Sequence, residues 1–297
     1  MFDKALMFIH ALTGLHPGGG TSLGVVDLPV QRERHTEWPI IPGSALKGVL
    51  RAACNRRSGR GVDQCPEVLA AFGPPTGSAS EHAGAITLSD ARILAFPVRS
   101  LSGVFAWVTC PSVLERLKRD LAIAGRADLP EIPRPAQNSA SCAQGSPLVR
   151  GQQKMILEEF EFCCEDLGTT AVATWIADAA TADDGTRNRL KTHLAVLHDD
   201  DFTHFVRNAT EIVARIGLDY DTKTVRKGAL FYEEYVPAET LFYSLVLCRG
   251  SYRKDHPATG AEILEWLQGR HIEHLQIGAG ETVGKGICAV QFASSSS

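Results

Sequence analysis

The eight cysteines of this chain include no C-x-x-C pair, no stretch reaches the roughly 18 apolar residues of a membrane span, and positive charge is not in surplus. Each absence removes a class of function. Without closely paired cysteines a zinc ribbon is disfavoured, and Cys54, Cys65, Cys110, Cys142, Cys163, Cys164, Cys248 and Cys288 are expected to be reduced, buried thiols. Adjacent Cys163 and Cys164 point to opposite faces if they share a strand. The N-terminal run MFDKALMFIHALTGLHPGGG is broken by His10 and Thr13 and lacks a small-residue cleavage site. It predicts a buried strand over residues 4–12 rather than a secretory signal, and a cytoplasmic protein with no membrane partner. A net charge of −4 argues against a chain that coats polyanions over its whole surface, so any nucleic-acid site must be local. There is no internal repeat of fixed period.

With 297 residues, 44% apolar and 22% charged, the chain can bury a large core. Residues 14–43 read as a long Gly- and Pro-rich loop, and 44–54 as a helix capped by Ser44, with Leu46, Val49, Leu50 and Ala53 facing the core. Strands are predicted at 85–88, 104–108, 240–247 and 287–292, and helices at 114–124, 172–180, 186–197 and 260–268. Residues 128–153 read as an irregular connection, and the tail Ser294–Ser297 as disordered. In 213–236, Ile216, Leu218 and Tyr220 alternate with polar residues before Asp221-Thr222-Lys223, a hairpin pattern that carries Arg215, Lys223, Arg226 and Lys227. Strands and helices mix without regular alternation, which favours an α+β fold over a doubly wound sheet.

Three segments could carry chemistry. Residues 30–60 hold Arg32, Arg34, Lys47, Arg51, Arg56, Arg57 and Arg60 against only Glu33 and Glu37. Together with a helix start at Pro-Gly-Ser44, this reads equally as a phosphate site or as a solvated basic face. The glycine-rich segment Gly278–Gly286 fails the Walker pattern: Gly286 follows Lys285 where Ser or Thr is needed, and Ala279 replaces the first glycine. It can instead be a tight turn or a close approach of backbone to RNA through Gly280, Gly284, Lys285 and Gly286. In the loop 14–29, His16 and Asp27 are the titratable groups, and a His with a carboxylate suits acid–base or metal chemistry; a turn-forming Asp is the plainer reading.

The order of the motifs resembles one family. His16, Gly18-Gly19-Gly20, Asp27-Leu-Pro-Val-Gln-Arg-Glu-Arg34, Ile41-Pro-Gly-Ser-Ala-Leu-Lys-Gly48 and Arg51 are similar to the start of the RAMP superfamily of CRISPR proteins. Within it, the backbone subunits of the Cmr (type III-B) complex resemble the chain most. Ser89-Asp90-Ala91, Phe96-Pro-Val-Arg-Ser100, Gly228-Ala-Leu-Phe-Tyr-Glu-Glu-Tyr-Val-Pro237, Glu239-Thr-Leu-Phe242 and Gly280-Glu-Thr-Val-Gly-Lys-Gly286 extend the match along the chain, with 112–212 the least alike. The resemblance implies a modified ferredoxin-like (RRM-type) palm over 1–111 and 228–293, an inserted helical region at about 112–212, and a protruding thumb hairpin at about 213–227. It implies copies stacked helically along a guide RNA beside other Cmr subunits, and metal-dependent cleavage (Mg or Mn) of complementary target RNA near bases displaced by the thumb. The family's essential aspartate matches Asp27, also the possible metal ligand, and its supporting positions match His16, Glu233 and Tyr235. Rival readings are an RNA-coating scaffold that does not cut, and a metal-independent guide-processing RAMP nuclease.

Overall fold

The computed structural model describes residues 2–20, 26–59 and 64–293. Arg60 and the tail Ser294–Ser297 lie outside these, as does the side chain of Lys227. Along the chain run β1 (Asp3–Ala11), β2 (Ile40–Ile41), α1 (Gly43–Ser58), α2 (Pro66–Phe72), β3 (Ile86–Leu88), β4 (Ala91–Arg99), β5 (Phe105–Thr109) and α3 (Pro111–Ile123). Next come β6 (Ser139–Cys142), β7 (Lys154–Leu157), β8 (Phe160–Glu165), α4 (Thr169–Ala180), α5 (Asp184–His193), β9 (Leu194–Leu197) and α6 (Asp199–Asn208). The chain then forms β10 (Glu211–Leu218), β11 (Val225–Tyr235), β12 (Leu241–Cys248), α7 (Gly260–Gln268), β13 (His274–Gln276) and β14 (Ile287–Ala293).

Every residue of β1 from Ala5 to Ala11 is buried, so both faces of this strand are covered, which is why it reads as a continuous apolar run. It pairs antiparallel with β12 on one side and β14 on the other. β12 passes on to β3 and β4. With α1 leading from β1 toward β3 and α7 from β12 toward β14, the order β14-β1-β12-β4 is that of a βαββαβ palm. The capping box of Thr259 and Glu262 fixes the start of α7. On the sheet, Phe8 meets Trp175 of α4 edge-on, ring centroids 6.2 Å apart.

The insert departs from a purely helical region. It contributes β6–β9, which extend the palm sheet through β5 in the order β5-β9-β6-β8-β7. β6 lies inside the stretch expected to be irregular, and the helix expected over 186–197 stops at His193, where Leu194–Leu197 become a fully buried strand. On β8, Cys163 is exposed and Cys164 buried, the alternation expected of neighbours on a strand; all eight thiols are free.

α1 also begins differently. Pro42 occupies the cap position without a side-chain bond, and Ser44 sits exposed inside the first turn. Asp90 Oδ1 accepts the Gly43 N–H at 2.7 Å, so a carboxylate of the chain itself takes one of the donors that a phosphate would use.

Candidate active site at the base of the hairpin

β10 and β11 form a two-stranded sheet of their own. β11 runs unbroken from Val225 to Tyr235, so the expected palm boundary at 228 falls within a strand. From Glu211 to Ile216 the pairing is regular; beyond it the register shifts between Ile216 and Leu218, and Gly228 adopts φ 77°. Directly opposed residues share a face, which sorts the side chains. Ala214 and Ile216, with Tyr232 and Leu230 opposite, are all exposed. The other face carries Arg215, Glu233 and Tyr235. At the turn, Asp219 Oδ1 accepts from the backbone of Asp221 and Thr222, Tyr220 is 83% exposed, and Lys223 Nζ lies 5.1 Å from the Tyr220 ring centroid. Arg226 is exposed.

Asp27 approaches β11 from its free edge. Its Oδ2 accepts the Tyr232 N–H at 2.8 Å, and Leu28 bridges Glu233 in parallel. Asp27 itself is exposed, and no other described residue donates to its carboxylate. The loop is fastened by Glu234, which is 6% exposed. Glu234 accepts the Val30 N–H at 3.0 Å, the Thr210 hydroxyl at 2.8 Å and the Arg32 guanidinium at 2.5 Å. Arg32 also donates to the carbonyls of Glu37 and Val206, which ties the loop to α6. Its guanidinium, read from sequence as a phosphate ligand, is therefore committed inside the protein.

His16 is 4% exposed. Its Nδ1 lies 2.6 Å from the Glu234 carbonyl, which can only accept, so Nδ1 carries a hydrogen, and Nε2 makes no hydrogen bond to a described residue. The His16 and Tyr235 rings are 5.7 Å apart. On the same face Arg215 donates through Nε to Glu233 Oε2 at 3.1 Å and through Nη2 to the Tyr235 hydroxyl at 2.6 Å, while that hydroxyl donates to Glu233 Oε2. Burial, and then the Glu233 carboxylate, raise the Tyr235 pKa above its ordinary value, so the phenol stays protonated at neutral pH.

The glycine-rich loop closes the site from the C-terminal side. Ala279 N donates to the His16 carbonyl and Gly286 N to the Gly14 carbonyl. Gly278 has φ 78°, and a Cβ there would stand 2.3 Å from the His16 carbonyl oxygen, so no larger residue fits. Gly280 and Gly284 flank a short 3-10 turn, and Lys285 Nζ sits 4.7 Å from the Tyr235 ring centroid.

Thus His16, Glu233, Tyr235, Arg215 and Lys285 cluster at the base of the hairpin, and Asp27 stands at the free edge of β11 beside Tyr232. The other predicted cations do not join them. Lys47 donates to the Ile86 carbonyl and Arg51 to the Pro74 carbonyl; burial, and then Arg51, lower the Lys47 pKa. Arg34 is exposed. Sequence reasoning missed Glu234: it follows Glu233 directly, and only the structure shows that two of its partners, Val30 and Arg32, lie about two hundred residues away. Among the described residues no three His, Cys, Asp or Glu side chains form a ready-made metal cage. The open carboxylate of Asp27 fits the way Mg²⁺ is held by one or two carboxylates with phosphate oxygens and water completing the shell.

No helix among the described residues is long and apolar enough to cross a membrane. The sequence model of the RAMP superfamily matches residues 8–289. The chain is 43% identical over 291 residues to the CRISPR system Cmr endoribonuclease Cmr4 of Pyrococcus furiosus, covering 96% of this chain and 94% of that protein. It is 27% identical to the CMR subunit Cmr4 of Saccharolobus solfataricus, over 96% and 95% of the two chains. Its structure superposes on oligomeric Cmr4 from Pyrococcus furiosus with a TM-score of 0.75 at 32% identity, covering 99% of each chain. From the palm order, the hairpin site and these likenesses together, the chain belongs to the RAMP superfamily and, within it, to the Cmr4 family of CRISPR proteins.

Proposed function

We propose that this chain is a backbone subunit of a type III-B CRISPR effector that binds guide RNA, stacks with copies of itself and other Cmr subunits, and cuts complementary target RNA. The observation that carries this reading is the clustering of His16, Arg215 and Lys285 around Tyr235, with Asp27 held on the adjacent edge of the same strand, at the base of an exposed apolar hairpin, in a chain closely similar to a protein named as an endoribonuclease. Sequence selection falls to guide–target pairing, so the protein needs only backbone contacts, a wedge and a reactive centre. The exposed hairpin face around Ile216 and Leu230 suits the wedge; the exposed Lys223 and Arg226 suit phosphate contacts.

In cleavage the 2′-oxygen attacks the adjacent phosphorus while the bond to the 5′-oxygen breaks, leaving a cyclic phosphate and a 5′-hydroxyl. His16 Nε2, which no described residue engages, takes the 2′-hydroxyl proton. Asp27 would hold a divalent ion, which supplies charge neutralisation at the phosphate when bound. The Tyr232 N–H fixes the Asp27 carboxylate in place.

The test is cleavage of guide-complementary RNA by the assembled complex, with and without EDTA, by the wild type and by Asp27→Ala. The expected result is metal-dependent cutting that D27A abolishes while RNA binding persists. Binding without cutting by the wild type would favour the scaffold, and cutting of repeat RNA in EDTA would favour a guide-processing nuclease.

A further inference from the structure

The resemblance marks Glu233 and Tyr235 as supporting positions without assigning them roles, and their geometry suits neither an acid nor a base. The Tyr235 hydroxyl is enclosed between a guanidinium that donates to it and a carboxylate that accepts from it. Glu233 Oε2 receives both the Arg215 Nε–H and the Tyr235 O–H, so its negative charge is already engaged. The side chains of Tyr235 and Glu233 are buried or nearly so, whereas that of Arg215 is 30% exposed. Nε and Nη2 of Arg215 are used, and Nη1 makes no hydrogen bond to a described residue. A guanidinium held by two of its nitrogens and open at the third is a fixed donor pair waiting for an anion. Arg215 pairs with Phe231 on one edge of β11, and Asp27 bonds the neighbouring Tyr232 from the other edge. Arg215 and Asp27 thus flank one strand, with the guanidinium turned along it toward Glu233 and Tyr235.

We propose that Arg215 is a catalytic residue, donating from Nη1 to a non-bridging oxygen of the scissile phosphate, and that Glu233 and Tyr235 are positioning residues that aim it. This rests on the ribonuclease reading above. In the reaction one P–O bond forms to the 2′-oxygen and one breaks to the 5′-oxygen; one proton leaves the 2′-hydroxyl for His16 and one is delivered to the 5′-oxygen from solvent water. Arg215 alters neither count. It offsets the negative charge that gathers on the phosphoryl oxygens as the five-coordinate phosphorus forms, and it needs no reorganisation because Glu233 and Tyr235 already hold it.

The test is single-turnover cleavage of guide-complementary RNA by assembled complexes carrying R215Q, R215K, E233Q, Y235F or R215Q/Y235F, followed from about pH 6 to about pH 9. Target binding is measured in parallel. R215Q is expected to lower the rate on bound RNA about 100-fold. R215K, which keeps the charge but not the fork, recovers part of it. Y235F and E233Q slow cutting without changing the shape of the pH profile, and R215Q/Y235F is no slower than R215Q, because Tyr235 acts through Arg215. Full-rate cutting by R215Q would overturn the assignment while leaving the ribonuclease reading intact; a wild type that does not cut would overturn both. Loss of a limb of the pH profile in Y235F or E233Q, multiplying losses in the double variant, or a rate loss explained wholly by weaker binding would each also overturn it.

Discussion

Replacing Glu234 by alanine should release the Asp27 loop without unfolding the palm. The Glu234 carboxylate receives the Val30 N–H, the Thr210 hydroxyl and the Arg32 guanidinium, whose side chain is only 19% exposed. Removing one member of such a pair leaves its partner without compensation, a loss of about 3–5 kcal/mol in buried cases. If the cost fell on global unfolding, the melting temperature would drop by about 6–10 °C, since each kcal/mol moves a domain of this size by about 2 °C. A cheaper route is open: residues 27–32 can detach from β11 and α6, trading the unpaired donors for water. The expected result is therefore a smaller fall in melting temperature, fast hydrogen exchange at the Val30 amide and at the amide of Tyr232, which Asp27 caps, and loss of cleavage because the Asp27 carboxylate is no longer held. E234Q, which keeps an acceptor oxygen but no charge, should fall between. Unchanged exchange at Val30 together with full cleavage by E234A would refute the reasoning.

Three further outcomes follow from particular contacts. A Cβ on Gly18 would stand 3.1 Å from His16 Nε2, so Gly18→Ala should cut the cleavage rate several-fold while leaving the melting temperature nearly constant; an unaltered rate would remove Nε2 from the reaction. Deleting Leu218–Val225 removes side chains that are mostly exposed, so the body should melt as before and target RNA still bind, but the regular spacing of products should vanish; an intact ladder would dismiss the wedge. The bonds from Arg126, and then from the Trp175 indole, hold the Asp128 carboxyl at about 2, below its ordinary 3.8. A depressed pKa adds stability that is present above pH 3.8 and lost as pH falls through about 2. Melts taken across that window should show D128N with a flatter acid limb, and parallel limbs would exclude this pair as a source of acid sensitivity.

The parts of the fold legible in the sequence were those whose signals are local. β1 is a buried run, the start of α7 is a capping box, and the hairpin alternates around a polar turn. The insert was opaque for physical reasons. Leu194–Leu197 directly continue an apolar pattern after α5, and only pairing with β5 and β6 makes them extended. Ser139–Cys142 are small residues with little intrinsic preference for a strand, held between β8 and β9. At the site, the family resemblance pointed to His16, Asp27, Glu233 and Tyr235, and the structure gathers them. It could not distribute duties among the charges. Arg32 reads like any surface cation until Glu234 is seen against it, and Arg215 reads like one of several thumb cations until its two inward bonds are seen.

The register shift above Ile216, with Gly228 in a left-handed conformation beside it, divides the hairpin into two mechanical regimes. Below the shift, the ladder from Glu211 to Ile216 locks each side chain to its face, and a slip of one residue would put Arg215 on the opposite face from Glu233 and Tyr235. Above it, the extra residues take up changes of length and bend the tip relative to the base. The tip can therefore vary in length and, under the proposed function, follow the winding of a guide–target duplex while the lower rungs stay fixed. The geometric tolerance that chemistry forbids and the compliance that a helical substrate demands are housed on the same two strands, separated by one irregularity.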